Sequence, residues 1–170
     1  MRRNDSKMIA FGGVMAALAI VIMCLGGLIP VATYVCPMLC CLILQIVFLQ
    51  CGRKIAWAWY VAVSVMSLLI GPDKEAAVVY TFLGYYPILK PFMDRLRLRV
   101  VWKLILFNAA SFAAYGILFL IMGVEELGFD QMGVWLIVIL TILGNVTFFL
   151  LDKLLLIISV KISTKGNRRK

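Results

Sequence analysis

The sequence predicts an all-α membrane protein: a compact bundle of six transmembrane helices with both termini cytoplasmic. Three observations predict it. Hydrophobic residues make up 64% of the 170 and charged residues 15%, with mean hydropathy +1.04. A soluble domain of this length has too little interior to hide that much apolar surface. The apolar residues fall into six runs, each near the roughly 20 residues that a helix needs to cross a bilayer. The basic residues gather at alternate ends of those runs.

The first span is read as 8–29, a retained first helix and not a cleaved signal, because the apolar run is longer than a signal core and further spans follow. Gly12 and Ala16 stand at i, i+4, as do Gly13 and Ala17, so this helix carries a small-residue face that another backbone can approach closely. Gly26-Gly27 and Pro30 mark its end. The second span is 33–51, with Pro37 near its start and Arg53-Lys54 after it. The third, 55–70, is short and stops at Gly71-Pro72. Asp73 is the expected N-cap of the fourth span, 75–93, with Glu75 in its first turn. Pro87 in that span frees the Leu83 carbonyl and predicts a kink. The fifth span is 100–122. The sixth, 133–160, exceeds the membrane thickness and is expected to tilt or project. Residues 163–170 form a basic cytoplasmic tail, expected to be disordered or to lie on anionic lipid.

Topology follows from charge. Arg2, Arg3 and Lys7, then Arg53 and Lys54, then Arg95, Arg97 and Arg99, and finally Lys161, Lys165, Arg168, Arg169 and Lys170 all fall on one side of a six-span chain. The other side has Lys74 among Asp73, Glu75, Glu125, Glu126 and Asp130. The net charge of +9 is thereby a topology signal, and no nucleic-acid partner is expected.

No catalytic constellation is visible. The chain lacks histidine, and it shows no GxSxG, no phosphate loop and no paired carboxylates inside a span. No metal site is expected either: Cys24, Cys36, Cys40, Cys41 and Cys51 read as small apolar fillers. Trp57, Trp59 and Tyr60 read as an aromatic belt beside Arg53-Lys54. Lys90 is expected to reach out to the cytoplasmic surface, and Asp152-Lys153 to form a local interfacial pair. Asn108 and Asn145 lie at matching depths, roughly 12 Å from one face and 18 Å from the other of a core about 30 Å thick. They read as an intramembrane polar pair, gluing two helices or contacting a ligand. Tyr80, Thr81, Tyr85 and Tyr86 around the kink offer aromatic faces with hydroxyl tips, suited to packing or to a small ring-shaped ligand.

Six spans in this length, both ends inside, and a first helix with small residues at i, i+4 resemble the substrate-binding S components of energy-coupling factor (ECF) transporters. That family carries an Ala-x-x-x-Ala-type motif on its first helix. Gly12 and Ala16, or Gly13 and Ala17, match it, with glycine in place of the first alanine. The resemblance implies that these four residues dock on an ECF transmembrane coupling subunit and, through it, on two cytoplasmic ATPases. It implies a plasma-membrane protein of bacterial type, not an enzyme and without cofactors, that captures a vitamin or similar micronutrient from outside. It places the substrate pocket near Glu75, Tyr80, Tyr85 and Asn145, with the stretch from Gly26-Gly27 to Tyr34 as a lid. The alternative is a non-transport membrane scaffold of the rod-shape-determining type, which would use the same small face for assembly. A small membrane enzyme or a proton-coupled transporter fits less well, for lack of histidine and of intramembrane carboxylates.

Overall fold

The computed structural model describes residues 3–26, 32–126 and 134–167, and all regular structure among them is helical. The helices are α1 (Arg3–Gly26), α2 (Ala32–Cys51), α3 (Arg53–Ile70), α4 (Lys74–Leu83), α5 (Tyr86–Met93), α6 (Arg99–Glu126) and α7 (Val134–Asn167). The expected lid around Gly27–Val31 and the last three residues of the basic tail lie outside the described residues. The rest of the tail continues α7 as helix through Asn167.

α1 and α2 run antiparallel, and two polar contacts fix their register. Cys51 Sγ meets the Met8 carbonyl at 3.5 Å, and Cys40 Sγ meets that of Ala19 at 3.6 Å, so α2 descends as α1 climbs. One residue, Gly52, turns the chain from α2 into α3. Its φ of 86° lies in the left-handed region that only glycine enters at little cost, and its N–H still bonds to Phe48 at 3.1 Å. That sharp reversal lays α3 beside both α1 and α2.

α2 is the central element. It packs on α1, α3, α4, α5 and α7 and buries Cys36, Cys40, Cys41, Leu44 and Val47. The thiols therefore fill space at a helix crossing, and all five cysteines are free. Gln45 on this helix donates to Ser159 of α7 at 2.7 Å.

The fourth span is not one helix. Asp73 caps α4 as expected, accepting from the Ala76 N–H at 3.0 Å. The helix then stops at Leu83, and a new one starts at Tyr86. Gly84 and Tyr85 keep right-handed helical dihedrals (φ −63° and −74°), so the result is a kinked continuation and not a reversal. Pro87 has no N–H for the Leu83 carbonyl, so it sits in the first turn of α5, where the missing donor costs least.

Five helical segments are long and apolar enough to cross a membrane: Ser6–Gly26, Thr33–Cys51, Arg53–Ile70, Arg99–Ile117 and Thr141–Ile162. The kinked α4–α5 pair runs among them as two shorter pieces. Large apolar side chains cover the outside, among them Val14, Leu69, Phe112 and Leu150. Water would penalise such a surface, whereas lipid does not. This is the pattern of a multi-pass membrane protein.

Candidate functional site

At the end of the bundle away from Arg53 and Arg95–Arg99, three helices bring together a carboxylate and two phenols. Glu75 lies in the first turn of α4, Tyr34 near the start of α2 and Tyr115 in the second half of α6. The Tyr34 hydroxyl donates to Glu75 Oε1 at 2.8 Å and lies 2.8 Å from the Tyr115 hydroxyl, while Tyr115 stands 3.5 Å from the same carboxylate oxygen. Tyr34 is half exposed, and Glu75 and Tyr115 are half-buried. The capping of α4 by Asp73 sets the position of Glu75. The packing of α4 on α6, with Val78 against Ala114, brings Tyr115 to it.

The four residues expected to wall a pocket occupy four different settings. Glu75 is at this polar end. Tyr80 is fully buried in the core with Cys40 and Cys41, and its hydroxyl has no partner. Tyr85 sits in the kink, edge-on to Tyr60 with ring centroids 6.1 Å apart. Asn145 is on α7 and pairs with Asn108. Beside Tyr85 the kink leaves a narrow apolar cleft against Leu106 and Phe107 of α6 and Phe148 of α7, without room for even a water molecule. Vitamin-sized ligands need pockets of about 300 Å³ or more.

The Asn108–Asn145 pair forms as the matching depths predicted. Asn108 Nδ2 donates to Asn145 Oδ1 at 3.1 Å, and Asn145 Nδ2 donates back to Asn108 Oδ1 at 3.3 Å. Each amide also donates to its own helix, to Leu104 and Thr141, both at 2.8 Å. Beside the pair Phe107 and Phe148 stack at 4.6 Å, so amides and rings together join α6 to α7.

At the basic end a buried charge cluster overturns two expectations. Lys90 does not reach the surface: it is 4% exposed, and its ammonium pairs with Asp152 of α7 and with Asp94 at 3.7 Å. Asp152 does not pair locally with Lys153. It also holds Lys103 of α6 at 3.0 Å and accepts from the Tyr86 hydroxyl at 2.5 Å. Lys103 bonds Asp94 at 2.5 Å, so two lysines and two aspartates balance across α5, α6 and α7. Burial favoured this outcome: the kink carries Lys90 to the inside of the bundle, where an unpaired ammonium is costly.

The aromatic belt also divides. Trp59 turns inward, 4% exposed, and its indole N–H donates to the Gly12 carbonyl at 3.1 Å. That contact decides how α1 is rotated. Gly12 is buried, and a Cβ there would meet Ile55 at 3.6 Å. Gly13 and Ala17 face outward, with nothing within 4 Å of the Gly13 Cβ position, and Ala16 lies between the two faces.

A comparison with known protein families, with curated proteins and with solved structures finds no match. Among the described residues no cluster of His, Cys, Asp and Glu is placed to hold a metal ion. The charge cluster at the basic end is internally neutralised. The Tyr34–Glu75–Tyr115 group, by contrast, is an accessible carboxylate held by neutral donors. Sequence reading missed both phenols. Tyr34 served only to mark the end of a loop, and Tyr115 had one available signal, its position as the phenol in the second half of an otherwise apolar span.

Proposed function

We propose that this chain is the membrane-embedded substrate-binding subunit of an ECF-type importer, capturing a vitamin or similar micronutrient from outside the cell. The outward Gly13–Ala17 face of α1 carries this reading: small residues stand uncovered on the rim of the bundle, where a foreign helix can approach closely. The partner there is the transmembrane coupling subunit, which brings two cytoplasmic ATPases. The chain sits in a bacterial-type plasma membrane with both termini cytoplasmic, so that this face lies in the cytoplasmic half and the Tyr34–Glu75–Tyr115 end opens outward.

The test is co-purification of the full chain with candidate coupling subunits. Wild type is retained, and Gly13→Leu or Ala17→Leu releases the partner while the chain stays folded. Indifference of co-purification to both changes would count decisively against docking through this face.

The small volume of the cleft at the kink favours a second reading, a membrane scaffold of the rod-shape-determining type that uses the same face for assembly and needs no ligand pocket. A scaffold would show no thermal shift with any vitamin.

A further inference from the structure

We propose that the turn joining α5 to α6 seats the phosphate of an anionic phospholipid headgroup, held by Arg95, Arg97 and Arg99. Such a seat requires only that the bundle stand in a bilayer, and not the transport reading above. All three arginines are exposed, and none pairs with a carboxylate among the described residues. The turn has its own acid, Asp94, directly before Arg95 and close in sequence to Arg97. That carboxylate is already engaged: it bonds Lys103 at 2.5 Å and lies 3.7 Å from Lys90, both buried. Asp152, the other acid of the cluster, is held by the same two lysines. The buried cluster therefore balances itself and leaves the arginines outside it as uncompensated positive charge.

Helix electrostatics point to an anion at the same place. α6 opens at Arg99 and carries no acid in its first turn. The positive end of the helix dipole thus meets three cations, which costs free energy until a negative group joins them. A phosphodiester answers that need, because guanidinium groups bind phosphate oxygens through paired N–H bonds. The surroundings favour a lipid over a soluble anion. Phe92 before the turn, Leu98 within it and Trp102 after it are 64%, 62% and 50% exposed. Exposed Val100, Val101 and Ile105 continue that apolar surface along α6. Arginines flanked by exposed aromatic and aliphatic side chains suit the boundary between headgroups and acyl chains. The turn is also held in shape: the Arg95 N–H donates to the Phe92 carbonyl at 3.2 Å, and the Leu96 N–H to that of Met93 at 3.1 Å. The backbone that carries the arginines therefore needs no reordering when a lipid binds.

Lipid binding to the full-length chain in neutral detergent tests this, read by native mass spectrometry and by thermal shift. The probes are phosphatidylglycerol, phosphatidylcholine and inorganic phosphate. Phosphatidylglycerol is expected to stay bound and to raise the unfolding midpoint, and phosphatidylcholine to do neither. Replacing all three arginines, Arg95→Gln with Arg97→Gln and Arg99→Gln, is expected to weaken phosphatidylglycerol binding by about tenfold or more, and Arg97→Gln alone by about fivefold. Arg53→Gln with Lys54→Gln, in the turn between α2 and α3 at the same end, is expected to leave binding near wild type. The lipid-free midpoint of each variant checks the fold, and Arg97→Gln decides if the triple variant does not fold. Equal retention of both lipids overturns the proposal, as does wild-type phosphatidylglycerol binding by folded arginine variants. An equal loss in the Arg53, Lys54 variant would reduce the effect to general surface charge and overturn the seat. Stabilisation by inorganic phosphate that matches phosphatidylglycerol would assign the arginines to a soluble anion instead. Variants that lose a coupling subunit yet keep phosphatidylglycerol would assign the turn to a protein partner, and the lipid seat falls.

Discussion

Lys90 of α5 and Asp152 of α7 form an ion pair inside the bundle, with the lysine side chain 5% and the aspartate 18% exposed. Two helices far apart in sequence are thereby tied at the basic end, and Lys103 and Asp94 complete a neutral set of four. Removing one partner of such a pair leaves an uncompensated charge, whereas removing both as apolar isosteres costs far less. Asp152→Leu is expected to destabilise the fold by about 3–5 kcal/mol. Lys90→Met combined with Asp152→Leu should recover much of that loss, because Lys103 keeps Asp94. Reversible unfolding in mixed micelles measures both, and a double variant no more stable than Asp152→Leu alone would show that the cluster does not act as a balanced unit.

The two glycines at the start of α1 separate stability from docking. Gly12 faces Ile55 and lies under Trp59, so Gly12→Leu overpacks the α1–α3 contact and is expected to cost about 1–3 kcal/mol. Gly13 faces open space, so Gly13→Leu is expected to leave the unfolding midpoint near wild type. Melting curves of the two variants check this, and equal destabilisation would mean that α1 is rotated differently from the arrangement described.

Gly52 joins α2 to α3 at φ 86°. A side chain there is forced into the left-handed region, and Gly52→Ala is expected to cost about 1 kcal/mol despite the empty space around it. A neutral or stabilising effect on the thermal midpoint would refute the turn geometry.

The reciprocal amides predict a measurable coupling. A double-mutant cycle on Asn108→Ala and Asn145→Ala is expected to return about 0.6–1.7 kcal/mol between α6 and α7, the range for hydrogen bonds between membrane helices. Additive single effects would show that the two amides do not depend on each other.

Much of this architecture was legible before any fold was known. Hydropathy and charge vary along the chain itself, so span positions, the cap at Asp73, the interruption near Pro87 and the gathering of bases at alternate ends could be read residue by residue. The depth of Asn108 and Asn145 is a one-dimensional property too, and two amides that each need a partner at the same depth can be paired by counting.

The rotation of each helix about its axis was not legible. In a soluble helix the apolar stripe marks the buried face. Here lipid and core are both apolar, so the sequence of α1 carries no mark that separates Gly12, turned to Trp59, from Gly13, turned outward one residue later. Lys90 was misread for a related reason. Its distance from the basic end suggested escape to the surface, but the kink at Gly84–Tyr85 turned it inward to Asp152. The sequence alone determined a multi-span helical chain with a charge asymmetry. Tertiary packing alone decided that Tyr34, Glu75 and Tyr115 meet, because residues on three helices converge only once the helices have chosen their neighbours and their rotation.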